Sequence, residues 1–330
     1  MSVKKRILSG MRPTGALHMG NYLGALANWV TMQEQYECFF FVADWHALTS
    51  DYENPSGMEN YVREILLDWL SAGLSPEKST LFIQSKVPEH AELFLILSMI
   101  TPVPWLERNP TYKDQIVQMQ NKDLSTFGFL GYPVLQAADI IMYKAQGVPV
   151  GVDQVPHVEI TREIARRFNF LYGPVFPEPE AILTQTPKIL GLDRRKMSKS
   201  YGNAIFLSDP PDQVRAKVMQ MITDPQRARR SDPGNPDVCN VFEFHKLYTD
   251  AATTANIDIQ CRAAQIGCVD CKKMMAVQLI RGLGPIHEKR AYFQDHPKIV
   301  DEIIAQGNRN AREVARRTMA EVRAAIKITY

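Results

Sequence analysis

Short apolar runs alternate with longer amphipathic segments in the first half of the chain. The runs at 6–9, 38–43, 81–84 and 148–150 predict β-strands. The second run, Cys-Phe-Phe-Phe-Val-Ala, is apolar at every position. Such a run is typical of a parallel strand covered by helices on both faces. The apolar spacing therefore predicts a parallel sheet in which strands alternate with helices.

One of the intervening segments shows the expected helical spacing. Ser56 and Glu59 have the spacing of a capping box at its start. The alternation of strands and helices predicts an α/β fold with a Rossmann-type, doubly wound parallel sheet, which binds ligands at the carboxyl ends of its strands. The apolar face of the helix predicted to begin at Ser56 is formed by Val62, Ile65, Leu66, Trp69 and Leu70.

A change of pattern near residue 205 predicts a domain boundary. After Phe206 the strand-like runs disappear, and helical spacing follows at 212–223, 242–251, 271–283 and 301–326. We therefore expect an α/β domain over residues 1–205 and an all-helical domain over residues 206–330.

Composition excludes several classes of protein. The chain has 330 residues, of which 45% are hydrophobic and 22% are charged, so it is not a disordered polyelectrolyte. No apolar stretch is long enough to span a membrane, and no signal-peptide core follows the basic N-terminus, so we expect a cytoplasmic protein. The net charge of +2 divides into −2 for residues 1–205 and +4 for residues 206–330. A basic C-terminal half is compatible with a nucleic-acid partner without establishing one.

A glycine-containing turn, Pro-Thr-Gly-Ala-Leu-His-Met-Gly-Asn at 13–21, follows the first predicted strand. Gly15 and Gly20 permit tight turns, and the helix that begins after them offers free N–H groups to an anion. His18 adds a donor for phosphate oxygens. An ordinary strand-to-helix turn with a structural histidine explains this segment equally well when it is taken alone.

A basic loop, Lys-Met-Ser-Lys-Ser at 196–200, lies just before the predicted boundary. Mobile lysines on a loop suit the binding of a polyphosphate whose charge moves during a reaction. In isolation, an exposed basic loop is the simpler interpretation.

Four of the five cysteines lie in the predicted helical domain, with the spacing C-x21-C-x6-C-x2-C. Cys239, Cys261, Cys268 and Cys271 fit a four-thiolate metal site in a reducing compartment better than disulfides. Zinc and an iron–sulfur cluster are both compatible with this spacing, which by itself favours zinc because zinc sites are commoner. Cys38 falls in a predicted strand and is expected to be a buried free thiol.

Taken together, the glycine-containing turn and the lysine loop resemble the paired signatures of class I aminoacyl-tRNA synthetases. Within that class, the chain resembles the tryptophanyl-tRNA synthetases over essentially its whole length. The segments that carry this narrower resemblance are Gly-Asn-Tyr-Leu-Gly-Ala at 20–25, Phe-Val-Ala-Asp-Trp-His-Ala-Leu-Thr at 41–49, Tyr-Pro-Val-Leu-Gln-Ala-Ala-Asp at 132–139 and Gly-Val-Asp-Gln at 151–154.

The resemblance implies ATP-dependent activation of L-tryptophan and its transfer to tRNA(Trp) by a homodimeric enzyme, with Mg²⁺ accompanying ATP. It implies charge stabilisation by His18, Lys113, Lys196 and Lys199. The ATP contacts that it implies are Arg12, Pro13, Thr14, Gly20, Asn21, Gly151, Val152, Asp153, Lys196, Met197, Ser198, Lys199 and Ser200.

A physical argument supports Asp139 as the residue that recognises the indole. The indole N–H is a donor only, and a buried carboxylate is its natural acceptor. Without the resemblance, a helix residue that merely caps or pairs would be the simpler interpretation of Asp139. The other residues that the resemblance places at the tryptophan are His46, Tyr132, Gln136 and Gln154.

The resemblance also changes the interpretation of the cysteines. A subset of tryptophanyl-tRNA synthetases has a closely similar arrangement that holds a [4Fe–4S] cluster near the anticodon-binding region, so we favour this cluster over Zn²⁺ at Cys239, Cys261, Cys268 and Cys271. A basic run directly upstream would then bind the tRNA anticodon through Arg227, Arg229 and Arg230, whereas a solvated helix end is the alternative.

Two departures from the family keep other functions open. Many relatives have glutamine at the position of Arg12 and glutamate at that of Val152, and the differences are typical of a subfamily. Tyrosine is an alternative substrate, although Ala138 leaves more room for an indole than the tyrosine usual in tyrosyl enzymes. A small-molecule adenylyltransferase and a non-catalytic paralogue that senses tryptophan or binds nucleic acid are the alternatives from other classes.

Overall fold

The fold is built on one parallel sheet. The structure is a computed structural model that describes residues 4–118, 123–184 and 189–330, with only the backbone of 115–118. In these ranges the sheet has five strands in the order β3-β2-β1-β4-β5, and all neighbours are parallel. The strands are β1 (Arg6–Met11), β2 (Glu37–Val42), β3 (Ser79–Ile83), β4 (Gly147–Val150) and β5 (Glu180–Leu183).

Helices surround the sheet and form all of the C-terminal part. A π-helical segment, Tyr22–Leu26, joins the first two helices. The α-helices are α1 (Met19–Asn21), α2 (Ala27–Met32), α3 (Asp44–Asp51), α4 (Met58–Ala72), α5 (Glu89–Ile100), α6 (Val103–Glu107), α7 (Pro110–Gln118), α8 (Phe127–Met142), α9 (Val155–Tyr172), α10 (Pro211–Gln220), α11 (Asn240–Tyr248), α12 (Ala251–Arg262), α13 (Cys268–Asp295) and α14 (Pro297–Ala325).

Alternate residues of β2 pack on opposite faces of the sheet. Cys38, Phe40 and Val42 belong to one hydrophobic core, and Phe39 and Phe41 belong to a second one. Because both faces of the strand are buried, every position of the run is apolar. The prediction of a doubly wound sheet from this run is confirmed, and Cys38 is a buried free thiol as predicted.

The strand order places the ligand crevice. β1 lies at the centre of the sheet, between β2 and β4. The chain leaves β1 toward one edge and later returns to β4 on its other side, which creates a topological switch point at the carboxyl ends of these two strands. The two helical connections diverge there and leave an opening above the sheet.

Two local predictions are corrected by the structure. The capping box of Ser56 and Glu59 is wrong, because a 3₁₀ turn at Pro55–Gly57 precedes α4, and its N-cap is Gly57 without a side-chain hydrogen bond. The Ser56 hydroxyl instead donates to Asn54 Oδ1 at 2.7 Å. The sequence analysis also missed β5, a half-exposed edge strand whose four residues give too weak an apolar signal.

The helical C-terminal part is packed closely on the sheet. Residues 206–330 contain five α-helices and no strand, so the predicted fold class is confirmed. Helix α14 covers the free edge of β3, where Asn308 Oδ1 accepts the Ile83 N–H at 3.0 Å. A Cβ at Gly307 would collide with the carbonyl oxygen of Leu81, so only glycine allows this approach. No helix in the described ranges has the length and apolarity needed to cross a bilayer.

Candidate active site

A cavity of about 670 Å³ opens at the carboxyl ends of β1, β2 and β4. Its position is the switch point of the sheet, and its volume suits a small-molecule ligand. The residues predicted to bind ATP or tryptophan that line it are Arg12, Asn21, His46, Tyr132, Gln136, Asp139, Gly151, Asp153 and Gln154.

His18 caps the first helix beside this cavity. Its Nδ1 accepts the Asn21 N–H at 3.2 Å, and Asn21 Oδ1 accepts the His18 N–H at 3.2 Å. Burial and the positive charges of Lys199 and Lys196 lower the pKa of His18 to about 4. The ring is therefore neutral near pH 7. Since Nδ1 is the acceptor, the proton is on Nε2, which is left as a donor for an anion.

The fold joins the glycine-containing turn to the segment that follows the lysine loop. The Met19 N–H donates to the Ile205 carbonyl at 2.8 Å, and the Leu207 N–H donates to the Leu17 carbonyl at 2.9 Å. These two hydrogen bonds hold the backbones together as in an antiparallel pair. The two segments that carry the family resemblance, distant in sequence, thus form one surface.

Lys199 of the loop reaches the turn directly. Its Nζ donates to the Thr14 carbonyl at 2.8 Å and lies 3.2 Å from Thr14 Oγ1. Burial lowers the pKa of Lys199 to about 8, although the negative charges of Asp68 and Glu64 act in the opposite direction. The ammonium group therefore lies at the turn, where an anion bound to the helix N-terminus would meet it.

Asp139 is a buried carboxylate with a full set of donors. His46 Nε2 lies 2.7 Å from Oδ2, His90 Nδ1 lies 2.6 Å from Oδ1, and Gln84 Nε2 donates to both oxygens at 2.8 and 2.9 Å. Burial alone would raise the pKa of Asp139, but the hydrogen bonds from His46 and His90 hold it below its usual value. Asp139 is therefore ionised at neutral pH.

The donors of Asp139 lie on different sides. His46 lines the cavity together with Asp139. Gln84 and His90 are completely buried, and His90 Nε2 lies 2.7 Å from the Tyr143 hydroxyl. A hydrogen-bond donor on a ligand in the cavity would therefore reach Asp139 from the side of His46.

A second polar group forms another wall of the cavity. The Tyr132 hydroxyl lies 2.8 Å from His157 Nε2, and His157 Nδ1 lies 3.0 Å from Gln154 Oε1. Burial and the charge of His46 lower the pKa of His157 to about 4, so its ring is neutral. If Nδ1–H donates to Gln154, Nε2 accepts the Tyr132 hydroxyl proton. The oxygens of Tyr132 and Gln154 then keep lone pairs for a cationic ligand.

Other predicted residues lie outside the cavity wall. Lys113 is exposed on α7, and this helix meets the strand-end turn where the Thr111 hydroxyl donates to the Asp153 carbonyl at 3.4 Å. Val152 is 76% exposed. The roles of both residues remain predictions. The same holds for Pro13, Thr14, Gly20 and the loop residues Lys196, Met197, Ser198, Lys199 and Ser200, which flank the cavity on the side of the turn.

The four C-terminal cysteines come from three helices. Cys239 caps α11, Cys261 lies near the end of α12, and Cys268 and Cys271 lie in the first turn of α13; all are free thiols. Burial raises the pKa of the Cys239, Cys261 and Cys271 thiols, the last to about 12, and neighbouring thiols add to each rise. The four side chains are thus near neighbours. Across the described residues, no three or more His, Cys, Asp or Glu side chains are arranged to hold one metal ion.

The three predicted tRNA-binding arginines differ in their surroundings. Arg227 Nη1 lies 3.9 Å from Cys261 Sγ and 3.8 Å from Cys268 Sγ. Its Nη2 donates to the carbonyls of Arg230 and Ile266 at 2.7 and 3.0 Å. Arg229 and Arg230 are exposed. The guanidinium of Arg227 is therefore directed at the cysteines, and only the other two arginines face solvent.

Sequence reasoning missed His157, which lines the cavity, and three residues that support it from behind, namely Gln84, His90 and Tyr143. Gln84 ends a predicted strand, which is a usual position for a functional polar residue. His90 lies on α5 and Tyr143 directly follows α8, and no local pattern indicates that they meet behind Asp139.

Comparison with known proteins agrees with this geometry. A family model described as tRNA synthetases class I (W and Y) matches residues 2–284. The chain belongs to this family of class I tRNA synthetases, so the resemblance seen in the sequence is confirmed.

Within the family, the chain is similar to tryptophan–tRNA ligases. It is 54% identical to the one from Thermotoga maritima and 47% identical to the one from Aquifex aeolicus, in both cases over 98% of this chain and 100% of the relative. The crystal structure of tryptophanyl-tRNA synthetase from Campylobacter jejuni, complexed with ADP and tryptophan, is 33% identical and has a TM-score of 0.90, covering 98% of this chain and 99% of that one.

Proposed function

We propose that this chain is a tryptophan–tRNA ligase that activates L-tryptophan with ATP and transfers it to tRNA(Trp). The observation that carries this proposal is the ionised, buried Asp139 at the wall of a cavity that the glycine-containing turn and the lysine loop flank. A carboxylate at that depth selects an amino acid with an N–H donor, and the cationic turn supplies a place for phosphates.

The first step is an in-line displacement at phosphorus. A carboxylate oxygen of tryptophan attacks the α-phosphorus of ATP, the bond from that phosphorus to the bridging oxygen breaks, and pyrophosphate leaves. No protein nucleophile is required, so catalysis rests on positioning and charge stabilisation. The phosphate charge is stabilised by His18 Nε2–H, Lys113, Lys196 and Lys199. Mg²⁺ bound with ATP would neutralise part of that charge.

The second step uses the tryptophanyl-adenylate, a mixed anhydride. A terminal ribose hydroxyl of the tRNA attacks the tryptophanyl carbonyl carbon, AMP leaves, and the hydroxyl proton is released. The residues that we propose to contact ATP during both steps are Arg12, Pro13, Thr14, Gly20, Asn21, Gly151, Val152, Asp153, Lys196, Met197, Ser198, Lys199 and Ser200.

The tryptophan site has a polar group at each end. Tyr132 and Gln154 offer acceptor oxygens that suit the α-ammonium group, and Gln136 lies on the same wall. At the far end, the indole N–H meets Asp139 from the side of His46, which yields or shares its contact with Oδ2. Substrate binding is thereby coupled to a rearrangement of His46.

Amino-acid-dependent ATP–pyrophosphate exchange tests the proposal directly. Purified protein with tryptophan and tyrosine in parallel is expected to catalyse exchange with tryptophan only. Exchange with tyrosine alone would overturn the substrate, and exchange with neither, in folded protein of intact metal content, would favour a non-catalytic role. Charging of tRNA(Trp) by the active protein then separates a ligase from an adenylyltransferase.

We propose that the four cysteines hold a [4Fe–4S] cluster. Cys239 and Cys268 lie at helix N-termini, and the Arg227 guanidinium lies beside Cys261 and Cys268, so positive charge is placed where the thiolate ligands of a cluster would need it. The preference for this cluster over zinc rests on the family resemblance of the cysteine spacing. When bound, the cluster would be structural and hold the loop that carries the arginines.

Replacing Cys268 with serine is expected to remove the metal. Iron and sulfide analysis of anaerobically purified protein should show the loss, and tRNA charging should fall about tenfold while pyrophosphate exchange changes less than about threefold. Cys38→Ala is the matched control, because Cys38 lies in the sheet away from the four cysteines. Unchanged metal content in the Cys268 variant would refute the ligand assignment, and zinc in the wild-type protein would refute the cluster.

We further propose that residues 206–330 form an anticodon-binding domain. Its net charge of +4 and the exposed Arg229 and Arg230 support contact with tRNA phosphates or bases. Arg227 would contribute through the loop that it joins to the cysteines. Since tRNA charging serves protein synthesis, we propose the cytoplasm as the compartment in which the protein works.

A homodimer is the proposed assembly. Large apolar side chains are exposed on adjoining helices, among them Met99 of α5, Phe127 of α8 and Phe170 of α9, which are 73%, 70% and 86% exposed. The rings of Phe94 on α5 and Phe127 on α8 lie 6.5 Å apart, so these two helices share apolar surface. A second copy of the chain is the proposed occupant, as in the family that the sequence resembles.

Replacing Met99 with glutamate is expected to shift the protein from dimer to monomer, because a charge would have to be buried in the interface. Light scattering coupled to gel filtration measures the mass. Ile259→Glu, on α12 and 64% exposed, is the control that should stay dimeric. A monomeric wild-type protein at micromolar concentration would contradict the proposal.

A further inference from the structure

A second buried carboxylate lies beneath the glycine-containing turn. Asp68 of α4 is completely buried, and its Oδ2 accepts the Leu17 N–H at 2.7 Å. Leu17 directly precedes His18, so this hydrogen bond acts on the backbone that carries the proposed phosphate donor. Asp68 does not line the cavity and takes no part in the chemistry described above.

The partner of Asp68 comes from the C-terminal helical part. Arg290 of α13 pairs through Nη1 with Asp68 Oδ1, and its Nη2 lies 2.5 Å from Glu64 Oε2. The Arg290 side chain is only 6% exposed. Burial raises the pKa of Asp68 to about 6, while Arg290 and the Leu17 N–H oppose that rise. A buried carboxylate stays charged only while such a partner is present.

The same group of charges extends to the lysine loop. Asp68 and Glu64 are the acidic groups whose field acts on Lys199, which is itself bound to Thr14. The buried group of Asp68, Glu64 and Arg290 therefore acts on both parts of the proposed phosphate site. It accepts a hydrogen bond from the glycine-containing turn, and its negative charges act on Lys199 of the lysine loop.

We propose that Asp68 is a positioning residue for the phosphate-binding turn and that Arg290 is the counter-ion that holds it there. The inference rests on the proposed adenylate-forming activity. If the inference is correct, adenylate formation from ATP depends on Arg290 of α13 even when no tRNA is bound. Asp68 holds the backbone of the turn at Leu17. This fixes the position of His18, whose Nδ1 caps the helix while Nε2 is directed at the phosphates.

A cycle of variants separates positioning from mere stability. Arg290→Met leaves a buried charge without its partner and is expected to lower kcat/KM for ATP in pyrophosphate exchange about tenfold. Asp68→Asn combined with Arg290→Met removes both charges but keeps an oxygen for the Leu17 N–H, and should recover to within about threefold of wild type. Asp68→Leu combined with Arg290→Met fills the same space without an acceptor and should stay about tenfold low.

The readouts are chosen to exclude a general loss of fold. Both double variants should be folded at the assay temperature, and their affinity for tryptophan without ATP should match that of the wild type. Only kcat/KM for ATP should then differ between them. Arg323→Met, which breaks the pair of α14 with Glu92 far from the turn, is the control and should leave kcat/KM for ATP unchanged.

Wild-type exchange with tryptophan is established first, so failure of the proposed function is seen separately. Equal kcat/KM for ATP in the two double variants, or wild-type kinetics in Arg290→Met, would overturn the proposal. If the leucine variant does not fold, recovery of Arg290→Met by Asp68→Asn decides the question, and absence of that recovery counts against positioning.

Discussion

Replacing Lys199 with alanine is expected to lower the rate of tryptophanyl-adenylate formation by about 100- to 1000-fold while tryptophan affinity changes little. The ammonium group lies at the glycine-containing turn, where its Nζ donates to the Thr14 carbonyl, and away from the residues proposed to bind tryptophan. Its contribution should appear as charge develops on the phosphates. Pyrophosphate exchange and fluorescence titration with tryptophan measure the two quantities.

The pKa of Lys199 adds a test by pH. Burial lowers this pKa to about 8, so the free enzyme loses the cation as the pH rises through that value. We expect kcat/KM for ATP to fall above about pH 8 in the wild-type protein and at higher pH in Lys199→Arg, since a guanidinium stays protonated.

Arg195→Ala is the control for Lys199, because Arg195 is an exposed cation that directly precedes the lysine loop and pairs with Asp193. Removing the Arg195 side chain should change the rate of pyrophosphate exchange less than about threefold, as expected for a surface ion pair. A loss of tryptophan affinity in Lys199→Ala as large as the loss of rate would contradict the assigned role.

Replacing Asp139 with asparagine is expected to lower kcat/KM for tryptophan about 100-fold, with a much smaller effect on the KM for ATP. The carboxylate is ionised and accepts contacts from His46, His90 and Gln84, so an amide both removes the charge and turns one acceptor into a donor. Pyrophosphate exchange at varied tryptophan concentration measures the effect.

A substrate analogue makes the Asp139 test independent of folding. An amino acid with sulfur in place of the indole N–H should be activated about 100-fold less well than tryptophan by the wild-type protein, and this ratio should shrink to below about tenfold in Asp139→Asn. Asp153→Asn, at an exposed carboxylate that also lines the cavity, should keep the wild-type ratio. An unchanged ratio in the Asp139 variant would show that the indole N–H binds elsewhere.

Local patterns predicted much of the fold and one part of the site. The run at 38–43 indicated a two-sided parallel strand because burial on both faces demands apolar side chains at every position. The same reasoning failed for β5, since an edge strand that is half exposed needs no such run. The capping box at Ser56 failed because Ser56 itself lies in a 3₁₀ turn, Pro55–Gly57, that precedes the helix.

The candidate site also has parts that the sequence indicated and parts that only the structure revealed. The turn at 13–21 and the loop at 196–200 are continuous segments. Each alone was only compatible with anion binding, and the two together indicated tryptophan activation through the family resemblance. The contacts that orient them join residues far apart in sequence, such as Lys199 with Thr14 and Asp68 with Arg290. Nothing in the local order of residues predicts such pairs.

The sequence by itself thus determined the class of fold, the family and the segments that carry the chemistry, because each depends on spacing within a short stretch of chain. Only the tertiary structure decided that Asp139 is ionised among His46, His90 and Gln84, and that a helix of the C-terminal part supplies the counter-ion beneath the turn. The charge state of a buried group depends on burial and on partners that long-range packing brings together. Burial and long-range partners are properties of the folded chain and not of the order of its residues.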